Sequence, residues 1–167
     1  MKAGIALGSN IEPRWKNLRE ASLRLRELAV EGNPVLVSRV YETSPVDCPA
    51  GSPPFLNAVM EVTTPLSPAG LLERLQAIET AMGRPTEHGK NAPRPIDLDI
   101  LYCDEMTLSY GDLTVPHPRL ATRRFVLQPL ADIRPQLMLP NFTQNVEELL
   151  ACYDGLEKLE IFPDSLD

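Results

Sequence analysis

The stretch Pro93-Arg94-Pro95-Ile96-Asp97-Leu98-Asp99-Ile100-Leu101-Tyr102, PRPIDLDILY, decides the fold. Ile96–Tyr102 reads as an extended strand, whose successive side chains face opposite ways, and from Ile96 to Ile100 apolar residues and aspartates alternate. Ile96, Leu98 and Ile100 then share a face that packs on a core, while Asp97 and Asp99 share the other. Working outward, this is the fourth strand of a regular series. Ala3–Leu7 is a short apolar run ended by Gly8-Ser9-Asn10, a buried strand and a turn. Pro13 suits the first residue of a helix, with Trp15, Leu18, Ala21, Leu25 and Leu28 on one face and Gly32-Asn33-Pro34 closing it. Val35–Tyr41 and Phe55–Thr63 read as strands, separated by a proline-rich loop over Thr43–Pro54. Ser67-Pro68 starts a second helix, its stripe Leu72, Leu75, Ile78 and Met82, its stop Gly83. A second long loop, Arg84–Pro95, leads into the aspartate strand. Strand, helix, strand, strand, helix, strand is the split βαβ order of ferredoxin-like folds. The expected architecture is α+β: a βαββαβ core, a largely antiparallel sheet with helices packed on it, and extra C-terminal elements. Those comprise a segment around Met106–Leu108, the turn-rich VPHPRL, an apolar stretch at Val126–Leu130 that is helical or irregular, a helix over Val146–Tyr153 and a strand over Leu156–Phe162. No repeat or linker divides residues 1–167, so one domain is expected.

Composition narrows the function classes. The chain has 167 residues, 43% hydrophobic and 23% charged. That is ordinary for a soluble globular domain and excludes disorder, coiled coil and collagen. No apolar run approaches the ~20 residues of a membrane helix, and the N-terminal stretch reads as a strand rather than a secretory leader. A net charge of −7 argues against general affinity for nucleic acid or anionic membrane. Cys48, Cys103 and Cys152 are far apart and odd in number, which points to reduced thiols in the cytoplasm. Residues 84–124 carry six basic and six acidic side chains, so the remainder of the chain holds the whole negative charge. A neutral, arginine-rich stretch in an acidic protein is a place for an anionic small ligand, or merely uneven surface charge.

Two carboxylates at i and i+2 on a strand have Cα atoms roughly 6–7 Å apart. Both reach one hard cation, or share two. Mg²⁺ prefers oxygen ligands and commonly takes one or two carboxylates plus substrate phosphates. The alternative is a solvated acidic face. Arg84, Lys90 and Arg94 precede the strand, and Arg119, Arg123 and Arg124 follow it. The planar forks of the arginines suit phosphate oxygens, although most arginines are surface decoration. His117, between Pro116 and Pro118, is either a phosphate donor or a turn histidine satisfied by a carbonyl. Asn57, in an otherwise apolar strand, serves either a ligand hydrogen bond or a loop cap. GxxxxGK[ST], GxGxxG, GxSxG and HExxH are all absent.

Taken together, Ile5-Ala6-Leu7-Gly8-Ser9-Asn10, Tyr41-Glu42-Thr43-Ser44-Pro45, Phe55-Leu56-Asn57-Ala58-Val59, Gly83-Arg84, Pro93–Leu101, Val115–Leu120 and Arg123–Leu127 resemble the 6-hydroxymethyl-7,8-dihydropterin pyrophosphokinases of folate biosynthesis, over about the first 135 residues. The resemblance implies transfer of the β,γ-diphosphate of ATP to the pterin hydroxymethyl oxygen, with release of AMP. It implies Asp97 and Asp99 as ligands of two Mg²⁺ ions, with Arg84 and Arg94 as further catalytic groups. ATP contacts are implied at Gln76, Glu79, Arg84 and Arg94, and again at Ile100, Thr114, His117 and Arg123. The pterin pocket would be formed by Thr43, Pro45, Val46, Phe55, Asn57 and Phe125. A flat heterocycle wants an aromatic on its face and an amide or hydroxyl at its edge.

The chain departs from the best-known members at Thr86, Asn91, Asp112 and Pro118, positions that bear on loop closure and ATP affinity. The metal and core pterin positions are kept. The expected partners are therefore small molecules only, in a cytoplasmic monomer with room for weak self-association. The competing reading is a non-catalytic ferredoxin-like module that holds a nucleotide or pterin. Binding alone does not need two carboxylates beside a polyphosphate, which favours the enzyme.

Overall fold

A computed structural model describes residues 1–43, 51, 53–83 and 95–167. Its elements run β1 (Lys2–Ser9), α1 (Arg14–Arg26), β2 (Leu36–Val37), β3 (Tyr41–Thr43), β4 (Phe55–Thr63), α2 (Pro68–Ala81), β5 (Asp97–Cys103), β6 (Leu108–Tyr110), β7 (Leu113–Val115), α3 (Arg124–Ile133), α4 (Val146–Ala151) and β8 (Leu159–Ile161). The main sheet has the order β5-β1-β4-β3-β8, with β2 also on β4, and every pairing is antiparallel. The fourth strand of the series lies beside the first, and the third lies on the first strand's other side, as the split βαβ order requires.

Alternation along the strands builds two cores. Ala3, Ile5 and Leu7 of β1, Leu56, Ala58, Met60 and Val62 of β4, and Ile96, Leu98 and Ile100 face Leu18 and Leu25 of α1 and Leu71 and Leu75 of α2. On the other face Val59, Leu101 and Tyr102 pack with Val126, Leu127 and Leu130 of α3. The expected strand facing of the PRPIDLDILY stretch therefore holds up to Ile100. There a bulge intervenes: Gly4 pairs with Tyr102 and Ile5 with Ile100, so Leu101 is extra and joins Tyr102 on the same face.

Other expectations shift by a few residues. The buried stripe of α2 is Leu71, Leu75 and Ile78, with Leu72 only half-buried. Ser67 caps the helix as expected, its Oγ accepting from the Gly70 N–H at 3.1 Å. Helix α1 ends at Arg26, well before Gly32, and the Val30 N–H leaves for the Thr63 carbonyl at 2.7 Å. The strand expected over Val35–Tyr41 is split into β2 and β3 at Ser38. Its Oγ accepts the Val59 N–H at 2.9 Å, replacing a backbone acceptor and interrupting the ladder. Val126–Leu130 is helical, within α3. The segment near Met106–Leu108 leads into a hairpin of β6 and β7, turned at Gly111 with φ +56°. Helix α4 is shorter than expected and opens on a capping box between Asn145 and Glu148.

Candidate active site

The floor of the site comes from small residues. On the α3 side of the sheet β1 presents Gly4, Ala6 and Gly8, while its large residues Ile5 and Leu7 go to the other core. Gly8 pairs with Asp97 on β5 and with Asn57 on β4. Asp97 and Asn57 thus stand in one row two strand spacings apart, about 10 Å, with no side chain between them. Ala6 and Asp99 occupy the next same-face row. A Cβ added at Gly8 would lie 3.2 Å from Asn57 Oδ1 and 3.6 Å from the Phe55 ring. Both groups therefore lean over Gly8.

Each wall is fixed locally. The buried Asn57 donates from Nδ2 to Thr43 Oγ1 at 2.7 Å, so its Oδ1 is the atom presented above Gly8. Of the two readings of Asn57, the local partner is Thr43, which leaves Oδ1 as an acceptor at the gap. Ser9 Oγ donates to the Pro95 carbonyl at 2.6 Å and ties the end of β1 to the entry of β5. Glu79, buried on α2, accepts the Leu98 N–H at 2.8 Å. That bond holds the backbone between the two aspartates.

His117 is brought to the aspartates by its backbone, whose N–H donates to the Leu101 carbonyl at 2.8 Å. Its Nδ1 accepts from the Arg119 N–H at 3.1 Å, so the neutral ring carries its proton on Nε2 and is a donor there. Burial, then the Arg123 and Arg119 charges, pull its pKa below the usual 6.5, with Asp97 opposing them. Arg123, at the N-terminus of α3, is also lowered, first by burial and then by Arg119, while Asp99 and Asp97 act to raise it. Its guanidinium carbon sits 5.5 Å from the centroid of the Phe125 ring. Asp97, Asp99, His117 and Arg123 therefore form one electrostatic group.

A titration follows from this setting. A depressed pKa means the fold favours neutral His117, so its contribution to stability is full above 6.5 and is lost as pH falls through the lower folded value. The His117 ring resonance, assigned by comparison with His117→Gln, will show a midpoint below 6.5 in NMR. A midpoint at or above 6.5 contradicts the buried, cation-flanked setting.

The remaining expected site residues are placed less centrally. Ile100 is buried in the α1–α2 core, Gln76 is exposed on α2, and Thr114 is exposed on β7. Asp112 and Pro118 are exposed. Pro45, Val46, Arg84, Thr86, Asn91 and Arg94 lie outside the described residues, as does Cys48; Cys103 and Cys152 are free thiols. Gly8 and Ala6 were readable only as part of a family pattern, although the alternation of small and large residues in Gly4-Ile5-Ala6-Leu7-Gly8 is itself a signal of a bare strand face. Among the described residues no helix is long and apolar enough to cross a membrane.

A family model described as 7,8-dihydro-6-hydroxymethylpterin-pyrophosphokinase (HPPK) matches residues 4–135. The 2-amino-4-hydroxy-6-hydroxymethyldihydropteridine pyrophosphokinase of Pseudomonas aeruginosa is 43% identical over 157 residues, covering 93% of this chain and 94% of that protein. The enzyme of the same name from Bacillus subtilis is 44% identical over 135 residues, covering 81% and 79%. A mitochondrial folate synthesis bifunctional protein of Arabidopsis thaliana is 46% identical over 132 residues, 77% of this chain but 23% of that protein. Among solved structures, Plasmodium falciparum HPPK-DHPS with pteroate superposes with a TM-score of 0.71 at 16% identity, over 90% of this chain and 42% of that one. It shares the fold.

Proposed function

The chain belongs to the 7,8-dihydro-6-hydroxymethylpterin-pyrophosphokinase family, and from that premise we propose that it transfers the β,γ-diphosphate of ATP to the hydroxymethyl oxygen of 6-hydroxymethyl-7,8-dihydropterin, releasing AMP. It does so as one domain spanning residues 1–167, a cytoplasmic monomer with small-molecule partners. The observation that carries this reading is the row Asp97–Gly8–Asn57, which sets an anionic, metal-ready edge across a bare floor from an amide acceptor.

The division of labour follows from the side chains. Asn57 Oδ1 accepts from an N–H at the edge of the pterin, with Thr43 holding the amide in place. Phe55 and Phe125 offer ring faces to the heterocycle. Arg123 and the Nε2–H of His117 bind phosphate oxygens. Asp97 and Asp99 suit a hard divalent cation, because both are oxygen ligands on one strand face. Among the described residues no group of three acidic, histidine or cysteine side chains forms an all-protein cage. A Mg²⁺ ion held by these two carboxylates would draw its remaining ligands from phosphates and water. When bound, two such ions supply neutralisation of the triphosphate charge. Glu79 contributes through Leu98, by keeping the two aspartates in register.

The test is product analysis with ATP, Mg²⁺ and the dihydropterin. AMP that appears only when pterin is present is the expected result. ADP in its place means a simple kinase, and neither product from folded protein means a non-catalytic binding module.

A further inference from the structure

Arg14, at the start of α1, is distant in sequence from Thr43, Phe55 and Asn57, yet its side chain is only 15% exposed. Its Nε donates to Glu12 Oε1 at 2.8 Å, and Glu12 Oε2 accepts the Arg14 backbone N–H at 3.1 Å. Its Nη1 does something different: it lies 2.7 Å from Glu42 Oε2 and 3.0 Å from the Pro54 carbonyl oxygen. Glu42 immediately precedes Thr43, and Pro54 immediately precedes Phe55. Thr43 and Phe55 are register partners across β3 and β4. One nitrogen therefore holds both strands at the end where Thr43, Phe55 and Asn57 stand. Glu12, on the far side of the guanidinium, fixes the plane of the fork that makes these bonds. An arginine suits this place because its donors are rigidly spread and permanently charged; a lysine offers one compact, flexible charge.

We propose that Arg14 is a positioning residue for the pterin end of the site. It acts through Glu42 and Pro54, setting the separation of Thr43 and Phe55, and with it the orientation of Asn57 Oδ1 and the Phe55 ring. Small displacements of such groups weaken recognition of a flat, hydrogen-bonded ligand. The aspartates stand on β5, two strands away from β4, so the ATP end does not depend on this clamp. The inference rests on the pterin placement proposed above.

Steady-state kinetics with each substrate varied in turn test it, using Arg14→Ala, Arg14→Lys and Asn57→Ala, with thermal unfolding alongside. Arg14→Ala is expected to raise the pterin KM about tenfold and leave the ATP KM within about twofold, with Arg14→Lys intermediate. An equal rise in both KM values makes Arg14 a general structural tie and overturns the proposal. So does an unmoved pterin KM in Arg14→Ala where Asn57→Ala raises it. If Asn57→Ala also leaves the pterin KM unmoved, the pterin placement itself fails and the proposal falls with it. Should Arg14→Ala not fold, Glu42→Gln, which removes the charge of one partner, replaces it. A pterin-specific KM rise supports the clamp and its absence overturns it.

Discussion

Asp97→Asn and Asp99→Asn will each lower AMP release by about 10²–10³-fold or more, the scale of losing one preorganised group that stabilises transition-state charge. The fold will survive. The two side chains project from the half-exposed face of β5, while Leu98 and Ile100 of the same strand and the adjoining Ile96 carry its packing against α1 and α2. Each aspartate repels the other along the strand but also attracts Arg123, so the two effects oppose and removing one carboxylate changes the unfolding temperature little. The loss should persist when Mg²⁺ is titrated to high concentration, because a neutral amide is a poor ligand for a hard cation. A paired assay of turnover and thermal unfolding separates the two effects. Near-normal turnover in either variant sinks the metal role of that residue.

The largest effect on stability is expected far from this chemistry, at Gly4. A Cβ there would overlap the ring of Tyr102, which lies across the bare face of β1. The ring cannot simply swing away. Its hydroxyl donates to the buried Glu61 Oε2 at 2.6 Å, and Arg134 Nε donates to the same oxygen at 2.9 Å. Gly4→Ala must therefore displace a packed ring and disturb a buried carboxylate's partners, at a cost of about 2–4 kcal/mol. In a domain of this size that lowers the unfolding temperature by about 5–10 °C. A double-mutant cycle identifies the cause: in a Tyr102→Leu background, Gly4→Ala should cost under about 1 kcal/mol. Equal costs in both backgrounds would place the strain elsewhere.

How far the sequence could be read is clear from particular residues. Alternation predicted the facing of Ile96 through Ile100 and the shared face of Asp97 and Asp99, because both follow from the strand period alone. The same rule failed at Tyr102, where the bulge against Gly4 and Ile5 puts two consecutive side chains on one face. A bulge is a property of the pairing, and one strand's sequence does not contain it. The break between β2 and β3 was hidden for a similar reason: Ser38 looks like any strand residue until its hydroxyl meets the Val59 N–H. The hairpin of β6 and β7 carries a local signal, Gly111-Asp112 between two apolar runs. In the site, the carboxylates and Asn57 stood out as polar groups in apolar strands. Glu79 and Arg14 carry no such mark. Their roles depend on Leu98, Glu42 and Pro54, reached only through the tertiary fold.

The bond between Glu79 and Leu98 has a second consequence. Strand β5 ends the sheet on one side, and an end strand exposes backbone groups that invite a strand from another molecule. Here the outward Leu98 N–H is taken by Glu79 and the Leu101 carbonyl by the His117 N–H. At the opposite end β8 is only three residues long, with Glu160 at its centre. The contacts that hold the aspartates in place also guard the sheet against edge-to-edge aggregation, so loosening Glu79 would endanger solubility as well as turnover.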